Sequence, residues 1–91
     1  MDKAKLQVLI NNAGDAIVNY KAANSGKLRY IVCTTDFNNK YIQSKGKPVE
    51  KDEKLLLVFA WDADSYKHID PDNVTSVQPL ASELRNPSPY Q

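Results

Sequence analysis

Residues 55–61 read LLLVFAW, the longest apolar run in the chain, and this run decides the predicted fold. Both alternating faces of the run are apolar, which is typical of a strand covered on both sides. The run lies between the charged stretch 44–54 and the turn sequence DADS. Because it is too short for a typical helix, we interpret residues 55–61 as the central strand of the core.

Six further segments show the alternation of short strands, and turn residues separate them. The first segment, residues 5–11, places Leu6, Val8 and Ile10 on one face. In the last segment, residues 74–80, the apolar side chains recur every three residues, which indicates either a β-bulge or a helical turn. The other four predicted strands are residues 15–22, 27–36, 40–43 and 66–69.

These segments predict a mainly β protein. We expect a small SH3/Sm-like barrel of five to seven short antiparallel strands with at most one short helical turn, because a barrel leaves no unpaired strand edge. The 91 residues suffice for one domain. We assign residues 1–85 to the barrel and residues 86–91, NPSPYQ, to an extended C-terminal tail that lacks a core-forming pattern.

Charge and cysteine content exclude several classes of protein. The net charge of +1 predicts no bulk attraction to nucleic acid or a membrane. Residues 1–50 carry a charge of +4 and residues 51–91 a charge of −3, which either forms two opposed faces or interleaves in the fold. The single cysteine, Cys33, excludes an internal disulfide and a cysteine-based zinc site. No apolar run approaches the ~18 residues of a membrane span, so we expect a cytoplasmic protein without a membrane partner.

Two short strings, NNAG at residues 11–14 and YIQSK at residues 41–45, are typical of short-chain dehydrogenases. A dinucleotide fold needs a glycine-rich turn between a strand and a helix, where backbone amides hold the pyrophosphate. The three glycines of this chain lie far apart, and only 26 residues separate Gly14 from Tyr41. The strings are therefore interpreted as a turn and a short strand that enters a loop.

Residues 15–80 resemble a WYL-type domain, a small Sm/SH3-like barrel, in the order of their residue classes. The family's Trp-Tyr-Leu signature is absent, and Leu55, Leu56 and Leu57 stand in its place. The resemblance implies a barrel that senses a ligand or a nucleic acid and catalyses no reaction. The residues that carry the resemblance are Ile17, Tyr20, Gly26, Arg29, Tyr66, Ile69, Asp70 and Val74.

Catalytic and metal chemistry have few candidates in this sequence. His68 is the only histidine, and the nearest carboxylates in sequence lie in a proline turn. Cys33 lies in an apolar strand, where burial raises a thiol pKa and reduces reactivity. The aspartates at positions 62, 64, 70 and 72 lack the glycine and terminal glutamate of a calcium loop. We predict no catalytic residue, no metal site and no cofactor.

Basic residues mixed with aromatic residues are the stronger signal, because aromatic rings stack on bases while lysine and arginine neutralise phosphates. The first hypothesis is a non-enzymatic module that binds a nucleotide-like ligand or a short nucleic acid. In the opposing interpretation, the aromatic residues fill the core and the lysines only keep a loop solvated. The candidate ligand-binding residues are Lys27, Arg29, Tyr41, Lys45, Lys47, Trp61 and Tyr66.

A protein-binding module is the alternative hypothesis. Such a module would add an exposed strand or the 86–91 tail to a partner protein, or form a homo-oligomer through a sheet edge. A small protein of this kind is compatible with a viral or mobile-element factor that inhibits a host protein or sequesters its signal. An enzyme is the third class considered, and it lacks a paired acid and base in the sequence.

Overall fold

The computed structural model describes residues 1–49 and 52–80. Five strands, two α-helices and one 3-10 turn make up this part of the chain. The predicted 86–91 tail and the predicted domain end at residue 85 lie outside the described residues. In chain order the elements are α1 (Lys3–Ala13), β1 (Asp15–Lys21), β2 (Leu28–Thr34), α2 (Lys40–Gln43), β3 (Leu56–Ala60), β4 (Ser65–Ile69), the 3-10 turn (Pro71–Asn73) and β5 (Val74–Pro79).

The five strands form one antiparallel sheet in the order β4-β3-β2-β1-β5. The mainly β class is thereby confirmed. A closed SH3/Sm barrel is not confirmed, because the sheet is open and both β4 and β5 lie at an edge. The buried strand predicted at LLLVFAW is confirmed over Leu56–Ala60: all five residues of β3 are buried, although the middle strand of the sheet is β2.

A short connection between the two edge strands constrains the shape of the sheet. Only four residues separate Ile69, the end of β4, from Val74, the start of β5. That connection spans at most about 18 Å when fully extended, and a 3-10 turn shortens it because it rises only about 2 Å per residue. Edge strands of a flat five-stranded sheet are about 19 Å apart. The sheet therefore curls, so that β4 and β5 approach each other at this end.

Residues 5–11 form most of helix α1, and the prediction of a strand there was wrong. Asp2 caps the helix, since its Oδ1 accepts a hydrogen bond from the Lys5 backbone nitrogen at 2.7 Å. Gly14 ends the helix at a φ of 77°, a value that suits glycine. Leu6 and Ile10, four residues apart, are fully buried against the sheet, whereas Val8 points to solvent. The helix has 11 residues, so the limit of one short helical turn was also wrong.

Residues 40–43 were predicted as a short strand and instead form the single helical turn α2. Asn39 Oδ1 accepts a hydrogen bond from the Tyr41 backbone nitrogen at 2.8 Å, which caps this turn. Ile42 is fully buried. Four residues are too few to distinguish the two-residue spacing of a strand from the helical spacing in the sequence. The cap and the burial of Ile42 stabilise the helical form.

A β-bulge accounts for the three-residue spacing in β5. Ser76 lies opposite Asn19 and Val74 lies opposite Tyr20, so Thr75 is the extra residue on β5. Of the two alternatives left open by the spacing, the bulge is confirmed over residues 74–79.

The face of the sheet that packs against α1, here called the inner face, carries the main core. Leu6 and Ile10 from the helix belong to one buried cluster with inward side chains of β1, β2, β3 and β4, and α1 lies against β5, β1, β2 and β3. The opposite face is called the outer face, and the segment that contains α2 covers it next to β3 and β4. The buried residues of the main core are Leu6, Ile10, Ala16, Val18, Ile31, Cys33, Leu56, Val58, Ala60 and Ile69.

Candidate functional site

Five aromatic rings meet on the outer face, and Phe59 of β3 is at their centre. Phe59 is fully buried, and its ring packs edge to face against Trp61 at 5.2 Å, Tyr66 at 5.4 Å and Tyr41 at 6.4 Å between centroids. Phe37 packs on Tyr66 at 5.3 Å. Tyr41 and Trp61 are stacked, with 24° between their planes. The rings thus form a second apolar cluster that fixes α2 to the sheet.

Lys45 is held at the rim of this aromatic cluster by Asp64. Its Nζ lies 2.8 Å from Asp64 Oδ2 and 5.0 Å from the centroid of the Tyr41 ring. The Tyr41 hydroxyl donates a second hydrogen bond to Asp64. The hydrogen bond from Lys45 lowers the pKa of the Asp64 carboxyl, and the same bond raises the pKa of Lys45. An anion that approaches Lys45 therefore has to compete with Asp64.

Two other polar groups of the cluster also have partners within the protein. Trp61 Nε1 donates to Asp15 Oδ1 at 2.8 Å, and the Tyr66 hydroxyl donates to the Gly46 carbonyl at 3.4 Å. The aromatic cluster thus satisfies its own hydrogen bonds and stacks its own rings. This arrangement is typical of a packed structural element.

The seven ligand-binding candidates from the sequence lie in three places. The structure brings Tyr41, Lys45, Trp61 and Tyr66 together in the aromatic cluster. Lys47 lies exposed on the loop after α2. Arg29 lies near the start of β2 and pairs with Tyr20 of β1, and Lys27 lies immediately before β2.

A separate cleft of about 450 Å³ opens where the sheet divides. Strands β2 and β3 pair only at Cys33 with Ala60 and at Thr34 with Phe59. One more backbone hydrogen bond, from the Trp61 nitrogen to the Val32 carbonyl at 2.7 Å, closes the top of the cleft. Toward the start of each strand, residues 28–31 of β2 pair only with β1, and residues 56–58 of β3 pair only with β4. This separation leaves room between the two halves of the sheet.

The cleft combines an apolar base with charged walls. Ile31 and Ile69 are buried, and Tyr20 is half-buried beside them. Cations line two sides of the cleft, one from each half of the sheet, namely Lys21 and Lys67. The other polar side chains that line it are Tyr30, Asp62, His68, Asp70 and Asn73.

Sequence reasoning missed this cleft, although one signal for it was present. Lys67 alternates with Ile69 along β4, so a lysine stands at an inward position. A charged residue at an inward position of a strand either protects an edge or lines a site. The opposite wall comes from Tyr20 and Lys21 of β1, which β3 and β2 separate from β4 in the sheet, and it carries no local signal.

Cys33 and His68 are the remaining reactive side chains. Burial, together with the negative charges of Asp62 and Asp15, raises the pKa of the Cys33 thiol to about 12. His68 Nε2 lies 3.1 Å from the Val49 carbonyl. Within residues 1–49 and 52–80, no group of three His, Cys, Asp or Glu side chains is placed to hold a metal ion.

The raised pKa of Cys33 predicts a pH-dependent stability. A thiol whose pKa is higher in the folded state stabilises the fold fully below its unfolded pKa of about 9, and this contribution is lost as the pH rises toward 12. Urea titrations measure the free energy of unfolding at each pH. We expect this free energy to fall more steeply between pH 9 and pH 11 in the wild type than in Cys33→Ala. Equal slopes for the two proteins would show that Cys33 ionises as easily in the folded state as in the unfolded state.

Comparison of the chain with protein-family models, with curated proteins and with solved structures found no match. In the part of the chain that the structure describes, no helix has the length and apolar character to cross a bilayer.

Proposed function

We propose that this protein is a non-enzymatic module that binds a nucleotide-like ligand in the cleft between the two halves of the sheet. The observation that carries the proposal is the cleft itself, with a buried apolar base and charged groups on its walls. Its volume of about 450 Å³ lies within the range of small-molecule sites, about 300–1,000 Å³.

Each wall of the cleft has a role in this proposal. The Tyr20 ring, next to Ile31, offers a flat apolar surface for a base. Lys21 and Lys67 offer charge to a phosphate, and Arg29, paired with Tyr20 across the sheet, adds a cation near the same end. Asp62 offers acceptor oxygens for an exocyclic amino group of the base.

The fold supports the same proposal. We interpret the curled open sheet, with its 3-10 turn between β4 and β5, as an opened form of a small SH3/Sm-like barrel. On this interpretation, the resemblance to WYL-type domains implies a ligand sensor. The non-enzymatic part of the proposal is supported by Cys33, which is buried and has a raised pKa.

The test is a titration of ¹⁵N-labelled protein with AMP, ATP and a short thymidine single strand at low salt, followed by amide chemical shifts. We expect the shift changes to centre on β4 and on the paired segment around Tyr20. Lys67→Glu is expected to weaken binding about tenfold or more, which corresponds to about 1.4 kcal/mol. Added salt is expected to weaken the binding of a phosphate ligand as well.

The matched control is Lys47→Glu, which makes the same charge change at an exposed lysine outside the cleft. This variant is expected to bind like the wild type. Shift changes that centre on Tyr41 and Trp61 would move the site to the aromatic cluster. No saturable shift with any of the three probes would overturn the proposed function.

A further inference from the structure

The cleft opens onto the outer face of the sheet where β1 ends and β2 begins. Lys21 and Tyr30 line the cleft, and both stand on the outer face, because they alternate with the inward side chains of their strands. The Tyr30 side chain is 64% exposed, and Leu28, which pairs with Lys21, is 71% exposed. A ligand held in the cleft therefore has an open path onto this part of the sheet.

Polar side chains next to Tyr30 extend this surface across β1 and β5. Asn19 pairs with Tyr30 on one side and with Ser76 on the other, so the three residues lie in one row across β2, β1 and β5. Asn19 Nδ2 donates to Ser76 Oγ at 3.1 Å, a bond that uses one of the two N–H groups of the amide. An exposed aromatic ring beside an amide suits a base, which stacks on the ring while the amide bonds its polar edge.

The hairpin that carries this surface is basic. Residues 19–30 include Lys21, Lys27 and Arg29 and contain no aspartate or glutamate. In the part of the chain that the structure describes, none of these three cations lies within ion-pair distance of a carboxylate, including the two carboxylates that line the cleft. The hairpin therefore presents uncompensated positive charge to an anionic chain.

We propose that the ligand is a single strand of nucleic acid at least two nucleotides long, with one nucleotide in the cleft and the next base stacked on Tyr30. This inference rests on the proposed function, because the cleft holds the first nucleotide. Lys21 stands at the mouth, where the phosphate between the two nucleotides passes, and Lys27 and Arg29 add charge at the same end of the hairpin. A duplex does not fit this arrangement, because its bases are already paired and stacked on each other.

Parallel titrations with thymidine monophosphate and with a four-nucleotide thymidine strand, at the same low salt, test this inference. The wild type is expected to bind the strand at least about tenfold more tightly than the mononucleotide, since one stacked base contributes about 1–3 kcal/mol. Tyr30→Ala is expected to remove most of this ratio, and Tyr30→Phe to keep it, because the ring stacks without its hydroxyl. Tyr30 is mostly exposed, so both variants are expected to fold.

The salt dependence of strand binding tests the role of the cations. Lys27→Ala and Arg29→Ala are each expected to lower the slope of log affinity against log salt by about 0.7, the loss of one phosphate contact on a single strand. Lys47→Ala is the control, since Lys47 is exposed but lies on the loop after α2. It is expected to keep the slope of the wild type. Slopes that are unchanged in both Lys27→Ala and Arg29→Ala contradict the path along the hairpin.

The two titrations separate this inference from the proposed function. Mononucleotide binding in the cleft, with an affinity that does not rise for the strand, overturns the inference and leaves the proposed function standing. A gain for the strand that Tyr30→Ala leaves intact also overturns it, since the second base then lies elsewhere. Absence of saturable binding by either probe counts against both. Amide shift changes at residues 19–30 and Ser76 that appear only with the strand support the inference.

Discussion

Phe59→Ala is expected to lower the free energy of unfolding by about 3–5 kcal/mol. Phe59 is fully buried, and its ring contacts Tyr41, Trp61 and Tyr66. Truncation removes buried apolar area and leaves a cavity, and it also removes the edge-to-face contacts of the cluster. Since domains of this size are stable by about 5–15 kcal/mol, this loss is a large share of the total, and the variant is expected to unfold at a much lower urea concentration than the wild type. Urea titration followed by the fluorescence of Trp61, the only tryptophan, measures the change.

Tyr30→Ala is the control for this substitution, because it removes a large aromatic side chain that is mostly exposed. It is expected to change the free energy of unfolding by less than about 1 kcal/mol. Phe59→Leu is expected to fall between the two, since it keeps most of the buried volume. A loss below about 1 kcal/mol in Phe59→Ala would mean that the aromatic cluster is not a second core of the protein.

Leu6→Ala is expected to lower the free energy of unfolding by about 2–5 kcal/mol and to reduce the helical signal in circular dichroism. Leu6 and Ile10 are the two buried residues of α1, and both contact the inner face of the sheet. A helix of 11 residues is marginal in isolation, so its formation depends on this packing. Loss of Leu6 therefore costs packing energy and also releases the helix.

Val8→Ala tests whether burial, rather than helix propensity, causes this loss. Val8 is on the same helix but is 54% exposed, and alanine has the higher helix propensity. We expect the stability of Val8→Ala to stay within about 0.5 kcal/mol of the wild type or to rise slightly. An equally large loss in Val8→Ala would be inconsistent with the orientation of α1 on the sheet.

The candidate site shows how far residue patterns reach. Tyr41, Trp61 and Tyr66 were grouped from the sequence as aromatic residues mixed with basic residues, and the structure does bring them together around Phe59. The pairing of Lys45 with Asp64, 19 residues away, has no local signal, and it changes the chemistry available to that lysine. The cleft likewise has no local signal in the sequence as a whole, because one wall comes from β1 and the other from β4, two strands that are not neighbours in the sheet.

The sequence by itself determined where β1 to β5 run. Alternation, the apolar run of β3 and the turn residues between the strands act over a few neighbouring positions, so their pattern is visible without the fold. Tertiary structure decided the form of residues 3–13 and the cleft. Leu6, Val8 and Ile10 would share one face of a strand, whereas Leu6 and Ile10 share one face of a helix without Val8. Packing against the curled sheet decides in favour of the helix. The helix buries two of these residues against that sheet and leaves Val8 in solvent, a choice that depends on surfaces assembled from distant parts of the chain.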